Sequence, residues 1–193
     1  MGIAEEEFTS FAEAASSRLR ATAFLLCGDW HTAEDLAQIT LTKVYAAWRR
    51  ISSKDAVDAY ARRTLLNSYL VHCRRVRRGE VLTGDVSLLA ERQVQAQGPE
   101  LKLALTDALA TLPPKARAVV VLRYWEDMSV EQVAALLGCS TGNVKSQSAR
   151  ALARLRVLMD DALTEEGPVT APAASATYRE EEVSGQDAAS HPL

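Results

Sequence analysis

Six arginines, Arg62, Arg63, Arg74, Arg75, Arg77 and Arg78, stand between Tyr60 and Arg78 with no acidic residue among them. Guanidinium groups at that density repel one another until a partner neutralises them, and phosphate oxygens, which accept bidentate hydrogen bonds, suit them best. Asn67, inside the run, adds an amide able to reach a base edge. A second set lies at Ser140, Thr141, Gly142, Asn143, Lys145, Ser146, Gln147, Arg150 and Arg154. Asn and Gln pair with adenine edges and Arg with guanine, while Lys, Ser and a helix N-terminus hold phosphates. Covalent chemistry has no comparable constellation. No Ser/His/Asp arrangement or phosphate loop stands out, and His31, His72 and His191 do not fall at ligand spacing from Cys27, Cys73 or Cys139. The expectation is a binding protein, not an enzyme, with no metal and no cofactor.

The bulk charge points the other way until it is divided. Across 193 residues, 22 bases and 25 acids give −3, which argues against a polyanion partner. Residues 1–78 carry +3, residues 79–99 carry −2, residues 100–163 carry +1 and residues 164–193 carry −5. Within the first block, Arg49 to Arg78 holds +7 over thirty residues, so any polyanion should bind there. The acidic last segment runs through Gly167-Pro168-Val169-Thr170-Ala171-Pro172, small and Pro-broken, and is expected to be a disordered tail. No apolar run reaches the roughly 18 residues that span a bilayer, and Met1–Glu7 lacks the pattern of a secretory signal. A cytoplasmic protein without membrane insertion is expected.

The elements that must position these groups are helical. Phe8, Phe11, Ala15, Leu19, Ala23 and Leu26 recur at helical steps until Gly28. A second helix from about Thr32, with Thr32 as its cap, places Ala37, Leu41, Val44 and Trp48 on one side and Asp35, Gln38, Thr42 and Arg49 on another. A third, from about Asp55 to Arg78, offers Val57, Ala61, Leu65 and Val71 for packing and a stripe of Arg63, Asn67, Leu70, Arg74 and Arg77. Three such helices enclose one small core, a domain over residues 1–78. Gly79, Gly84, Gly98 and Pro99 punctuate a polar linker at 79–99, and a second helical domain occupies 100–163. Inside it, Val119–Leu122 reads as helix because no other segment could pair with it as a strand.

Ser129 to Met159 has the layout of a helix-turn-helix. Val130, Val133, Ala134 and Leu137 make the inward face of a short helix capped by Ser129, and Gly138 can take the left-handed turn. Val144, Ser148, Ala151 and Leu155 continue inward on a second helix capped by Ser140 or Thr141, leaving the groove-compatible side chains outside. A helical hairpin with a merely solvated face is the competing reading.

Taken together the two blocks resemble the extracytoplasmic-function group of bacterial RNA polymerase sigma factors, within the sigma-70 superfamily, in a form like the actinobacterial members. The resemblance covers about residues 8–160. Asp35, Leu36 and Gln38, with Thr42, look like the helix by which the family docks on polymerase, although Ile39 and Leu41 stand where an acid and a Phe are frequent. The segment Ala59–Asn67 followed by Arg74–Arg78 is similar to the helix that reads and melts the minus-ten element. Leu112-Pro113-Pro114-Lys115-Ala116-Arg117 and the helix-turn-helix after it resemble the reader of the minus-thirty-five element. The resemblance implies an all-α fold of two small domains joined by a flexible linker, with core polymerase and promoter DNA as partners. It also admits an anti-sigma protein as a partner. A free-standing helix-turn-helix regulator of duplex DNA is the alternative.

Overall fold

The computed structural model describes residues 3–51, 53–80 and 99–165, and every regular element among them is helical. Helix α1, Ile3–Cys27, begins before the expected Phe8 and ends where Gly28, at φ +78°, donates its N–H to the Phe24 carbonyl at 2.7 Å. Helix α2, Trp30–Ala47, is capped by Asp29, not by the expected Thr32. Asp29 has the extended backbone a cap needs, and its carboxylate accepts the Thr32 N–H at 2.6 Å, so Thr32 already lies inside the first turn. Trp30 stacks on Phe24 across the corner, with ring centroids 4.1 Å apart. A short 3₁₀ turn, Trp48–Arg50, leads to α3, Lys54–Arg77, capped by the Ser53 hydroxyl on the Ala56 N–H.

The second block holds α4, Pro99–Ala110, and α5, Pro114–Val120, which starts on a proline that fits the first helical position. A π-helical turn, Val121–Trp125, continues α5, so the Val119–Leu122 run is helical as its isolation predicts. Helix α6, Val130–Leu137, opens on a reciprocal capping box in which Ser129 and Gln132 each accept the other's backbone N–H. Gly138, at φ +64°, turns the chain into α7, Thr141–Glu165, capped by the Ser140 hydroxyl on the Asn143 N–H at 3.2 Å.

The core is where the structure departs from the expected pair of separate small cores. Leu19, Leu26, Leu36, Val44, Leu65, Leu66 and Tyr69 of α1–α3 are buried in one cluster with Ala118, Val119, Val121, Leu122, Val133 and Val144 of the second block. A smaller cluster, Ala108, Leu109, Leu112, Val120, Ala151 and Leu155, ties α4, α5 and α7 together. The cause is local: residues 118–122 are all buried, and a segment apolar all round must be covered on both sides. One side meets α7 and the other meets the first block. Arg117 crosses the same seam, donating from one Nη to the Leu26 carbonyl at 2.8 Å and from the other to the Ala110 carbonyl at 2.6 Å. Val71, expected in the core, is exposed, and Tyr69 takes the buried place instead. Of the expected linker at 79–99 and tail at 164–193, residues 81–98 and 166–193 lie outside the described residues. Among the described residues no helix is long and apolar enough to cross a membrane.

Candidate nucleic-acid and partner interfaces

The helix-turn-helix is fixed from within. Val133, Ala134, Val144, Ser148, Ala151 and Leu155 are buried, and Ser148 shares a hydrogen bond of 3.0 Å with the Tyr124 hydroxyl at the end of the π turn. Small Ala134 lets α7 cross α6 closely, as the sequence requires. Ser140, Thr141, Gly142, Asn143, Lys145, Arg150 and Arg154 are exposed, and Ser146 and Gln147 are half-buried. Gln147 donates to the Asn143 side-chain oxygen at 2.8 Å, one turn away, and the Ser146 hydroxyl donates to the Asn143 carbonyl at 3.1 Å. The two amides are therefore braced as one pair on the helix. Asn143, Gln147, Arg150 and Arg154 recur at four- and three-residue steps along one side of α7, with its N-terminal turn at their head.

Helix α3 carries the other set. Arg63, Asn67, Arg74 and Arg77 are exposed on the expected stripe. Arg75 and Arg78 are also exposed and lie 3.6 and 3.7 Å from Glu80. Pairs this open to water hold their partners weakly and exchange them readily for phosphate. Arg62 differs: its side chain is only 28% exposed, and its Nε donates to Oε2 of Glu126 at 3.1 Å. It is engaged across the seam, not presented beside the other five. Asn67, Leu70, Arg74 and Arg77 line one wall of a cleft of about 1140 Å³ whose other wall includes Ala110, Pro113, Lys115 and Leu137.

On α2, Asp35, Gln38 and Thr42 are exposed on one side, with the Thr42 hydroxyl donating to the Gln38 carbonyl at 2.8 Å. Leu36, expected at the same surface, is 3% exposed in the core, so it sets the helix in place and offers no contact area. Ile39, 44% exposed and noted in the sequence only as a departure from the family pattern, and Tyr45, 52% exposed and not singled out, lie beside the polar stripe. Their signal is that they fall out of register with the buried Ala33, Ala37, Thr40 and Val44. Thr22, Trp125 and Glu126 were also missed, because their roles depend on contacts across more than 100 residues.

Among the described residues no cluster of three His, Cys, Asp or Glu side chains could hold a metal. Cys27, Cys73 and Cys139 are free thiols. Burial pushes the Cys27 thiol up to about 11, and its Sγ donates to the Asp29 carbonyl at 3.2 Å. Such a thiol is a packing group with little thiolate character.

Residues 11–79 match the family model described as Sigma-70 region 2, and residues 102–155 match Sigma-70, region 4. The chain is 40% identical over 150 residues to the RNA polymerase sigma-E factor of Streptomyces coelicolor, covering 78% of this chain and 84% of that one. It is 31% identical over 150 residues to the ECF RNA polymerase sigma factor SigE of Mycolicibacterium smegmatis, covering 73% and 57% respectively. Among solved structures, the sigma factor RpoE in complex with the anti-sigma factor NepR from Bartonella quintana aligns with a TM-score of 0.65 at 26% identity, over 80% of this chain and 98% of that one.

Proposed function

We propose the function of this chain from its family: it belongs to the RNA polymerase sigma factors, in the extracytoplasmic-function group of the sigma-70 superfamily. It binds the polymerase core and directs initiation at specific promoters, a regulatory role with no bond chemistry of its own. The residue assignments rest on the resemblance to the family's motifs and on which of these side chains are exposed. Residues 1–78 form the docking and melting unit, in which Asp35, Gln38 and Thr42 meet the polymerase while Leu36 holds their helix in register. Arg63, Arg74, Arg75, Arg77 and Arg78 neutralise the phosphates of the separating strands, Arg62 joins them once released from Glu126, and Asn67 reads a base. Residues 100–163 read the minus-thirty-five element through Asn143, Gln147, Arg150 and Arg154, with Lys145, Ser146 and the Ser140-Thr141-Gly142 turn on the backbone. The protein works in the cytoplasm, where its polymerase is, and an anti-sigma protein is a proposed further partner.

One observation carries this reading. The exposed arginine stripe of α3 and the groove-compatible face of α7 fall, in chain order, within the segments that match region 2 and region 4. The test is co-elution of the full chain with core polymerase, followed by run-off transcription on genomic DNA and sequencing of the transcripts. A common pair of upstream elements among the start sites is the expected result. Tight duplex binding by the isolated chain, with no polymerase association, would identify a free-standing helix-turn-helix regulator instead.

A further inference from the structure

We propose that the cleft beside α3 is a docking site for the chain's own acidic segment: the carboxylates of Glu180, Glu181 and Glu182 occupy the cations of the cleft until a nucleic-acid backbone displaces them. The docking stands on charge and geometry, and its consequence for promoter DNA rests on the sigma-factor reading.

The cleft, of about 1140 Å³, is lined by Arg74, Arg77, Lys115 and Arg117, with no Asp or Glu among its lining residues. Arg74, Arg77 and Lys115 are exposed, and among the described residues none of the four cations is paired with a carboxylate. Arg117 is the least satisfied of them. Its two Nη atoms reach main-chain carbonyls, which bring no counter-charge, and its Nε is buried without a partner among the described residues. Burial raises the Cys27, Tyr69 and Cys73 groups of the same cleft, and Arg117 pulls each of them back down, so its charge is felt along the cleft wall. A guanidinium in a poorly solvated place gains most from an anion.

Between the cations, Leu70, Val76, Leu112 and Leu137 give the cleft apolar walls. Its volume exceeds the roughly 300–1,000 Å³ of a small-molecule pocket, so a short stretch of chain fits it better than a single inorganic anion. Residues 178–183 read Tyr-Arg-Glu-Glu-Glu-Val. Three successive carboxylates suit the cations, Tyr178 and Val183 suit the apolar walls, and Arg179 leaves the stretch net acidic.

The chain leaves its last helix near this cleft. Leu112 of the cleft wall shares a buried cluster with Ala151 and Leu155 of α7, and Leu158 and Met159 pack against that cluster. Helix α7 ends at Glu165, about 9 Å beyond Met159. Residues 166–179 then precede Glu180 and span up to about 46–50 Å when extended. A folded body of this size has a radius of gyration of about 14 Å, so reach is ample. A tether of that length holds the acids at an effective concentration of about 1 mM.

Competition follows from shared groups. Arg74 and Arg77 belong both to the cleft and to the set proposed to hold phosphates, and exposed ion pairs exchange partners readily.

The full chain is treated with a carbodiimide, which condenses a carboxylate with an amine to an amide and itself takes up the water as a urea. Mass spectrometry of the monomer then locates the links. Among the lining residues Lys115 alone carries an amine, and Lys43, Lys54, Lys102 and Lys145 are comparators in the same chain. Links from Glu180, Glu181 or Glu182 to Lys115 should exceed those to any comparator by about threefold or more, and disappear at about 1 M salt, where screening acts within about 3 Å. They should also fall when a single-stranded oligonucleotide of mixed sequence is added. In the full chain, combining Glu180→Gln, Glu181→Gln and Glu182→Gln should raise affinity for that oligonucleotide about three- to tenfold. Links spread evenly over the comparators would reduce the docking to general attraction and overturn it. Links found only between two copies would give the cleft to a neighbour's segment and overturn self-docking. Undiminished links with the oligonucleotide bound would overturn the competition. Failure of the parent chain to co-elute with core polymerase would instead overturn the sigma-factor reading and leave the Lys115 links standing.

Discussion

Asn143 and Arg150 lie on the exposed face of α7, whereas Lys145 beside them carries charge without a planar edge. Replacing Asn143 or Arg150 by Ala should cost about 1–3 kcal/mol of discrimination at one promoter position, while Lys145→Ala should weaken all sequences alike. Binding titrations of the polymerase complex on single-base operator variants separate the two outcomes. Burial raises the Cys27 thiol to about 11 from an ordinary 9.0, and also raises the Tyr69 hydroxyl. Both groups stay neutral in the fold at pH values where the unfolded chain begins to ionise them. Their contribution is therefore complete below about pH 9 and declines as pH climbs toward 11, so the melting temperature should fall across that window. Cys27→Ala should flatten part of the decline, and alkylation of Cys27 at pH 8 should be slow beside a free model thiol.

At the scale of elements, the helix-turn-helix was readable because its signals are local. Ser129 with Gln132, Gly138 and Ser140 fix two helix starts and one turn within twelve residues, and each is met in the structure. Gly138→Ala should cost about 1–2 kcal/mol through backbone conformation alone, since a Cβ there would meet nothing within 4 Å. Ser129→Ala should cost about 1 kcal/mol by removing one half of the capping box. Thermal melts of both variants check these values, and the sum should be recovered in the double variant only if the cap and turn act independently. The start of α2 was misplaced by a few residues because Asp29 and Thr32 are both good caps, and only the extended backbone at Asp29 chooses between them. Val71 and Tyr69 changed places for a similar reason: their periodicity admits either, and the burial of the α3 face against α1 and α5 selects Tyr69.

Across the whole molecule, charge is divided between a basic first block and an acidic last segment. If about six phosphates are contacted on single strands, the logarithmic salt slope should be near −4. Removing residues 164–193, which carry −5, should raise DNA affinity at low ionic strength, with the gain fading as salt screens it. The sequence by itself determined the helices, the turn chemistry, the partition of charge and the two residue sets proposed to meet DNA, because these depend on residue type and spacing over one or two turns. It did not reveal that residues 118–122 would be covered by both blocks, that Leu36 would be interior, or that Glu126 would meet Thr22 and Arg62. Those pairings join positions 64 and 104 residues apart. Only packing in three dimensions decides them, because a buried carboxylate chooses its partners by what the fold brings within hydrogen-bond reach.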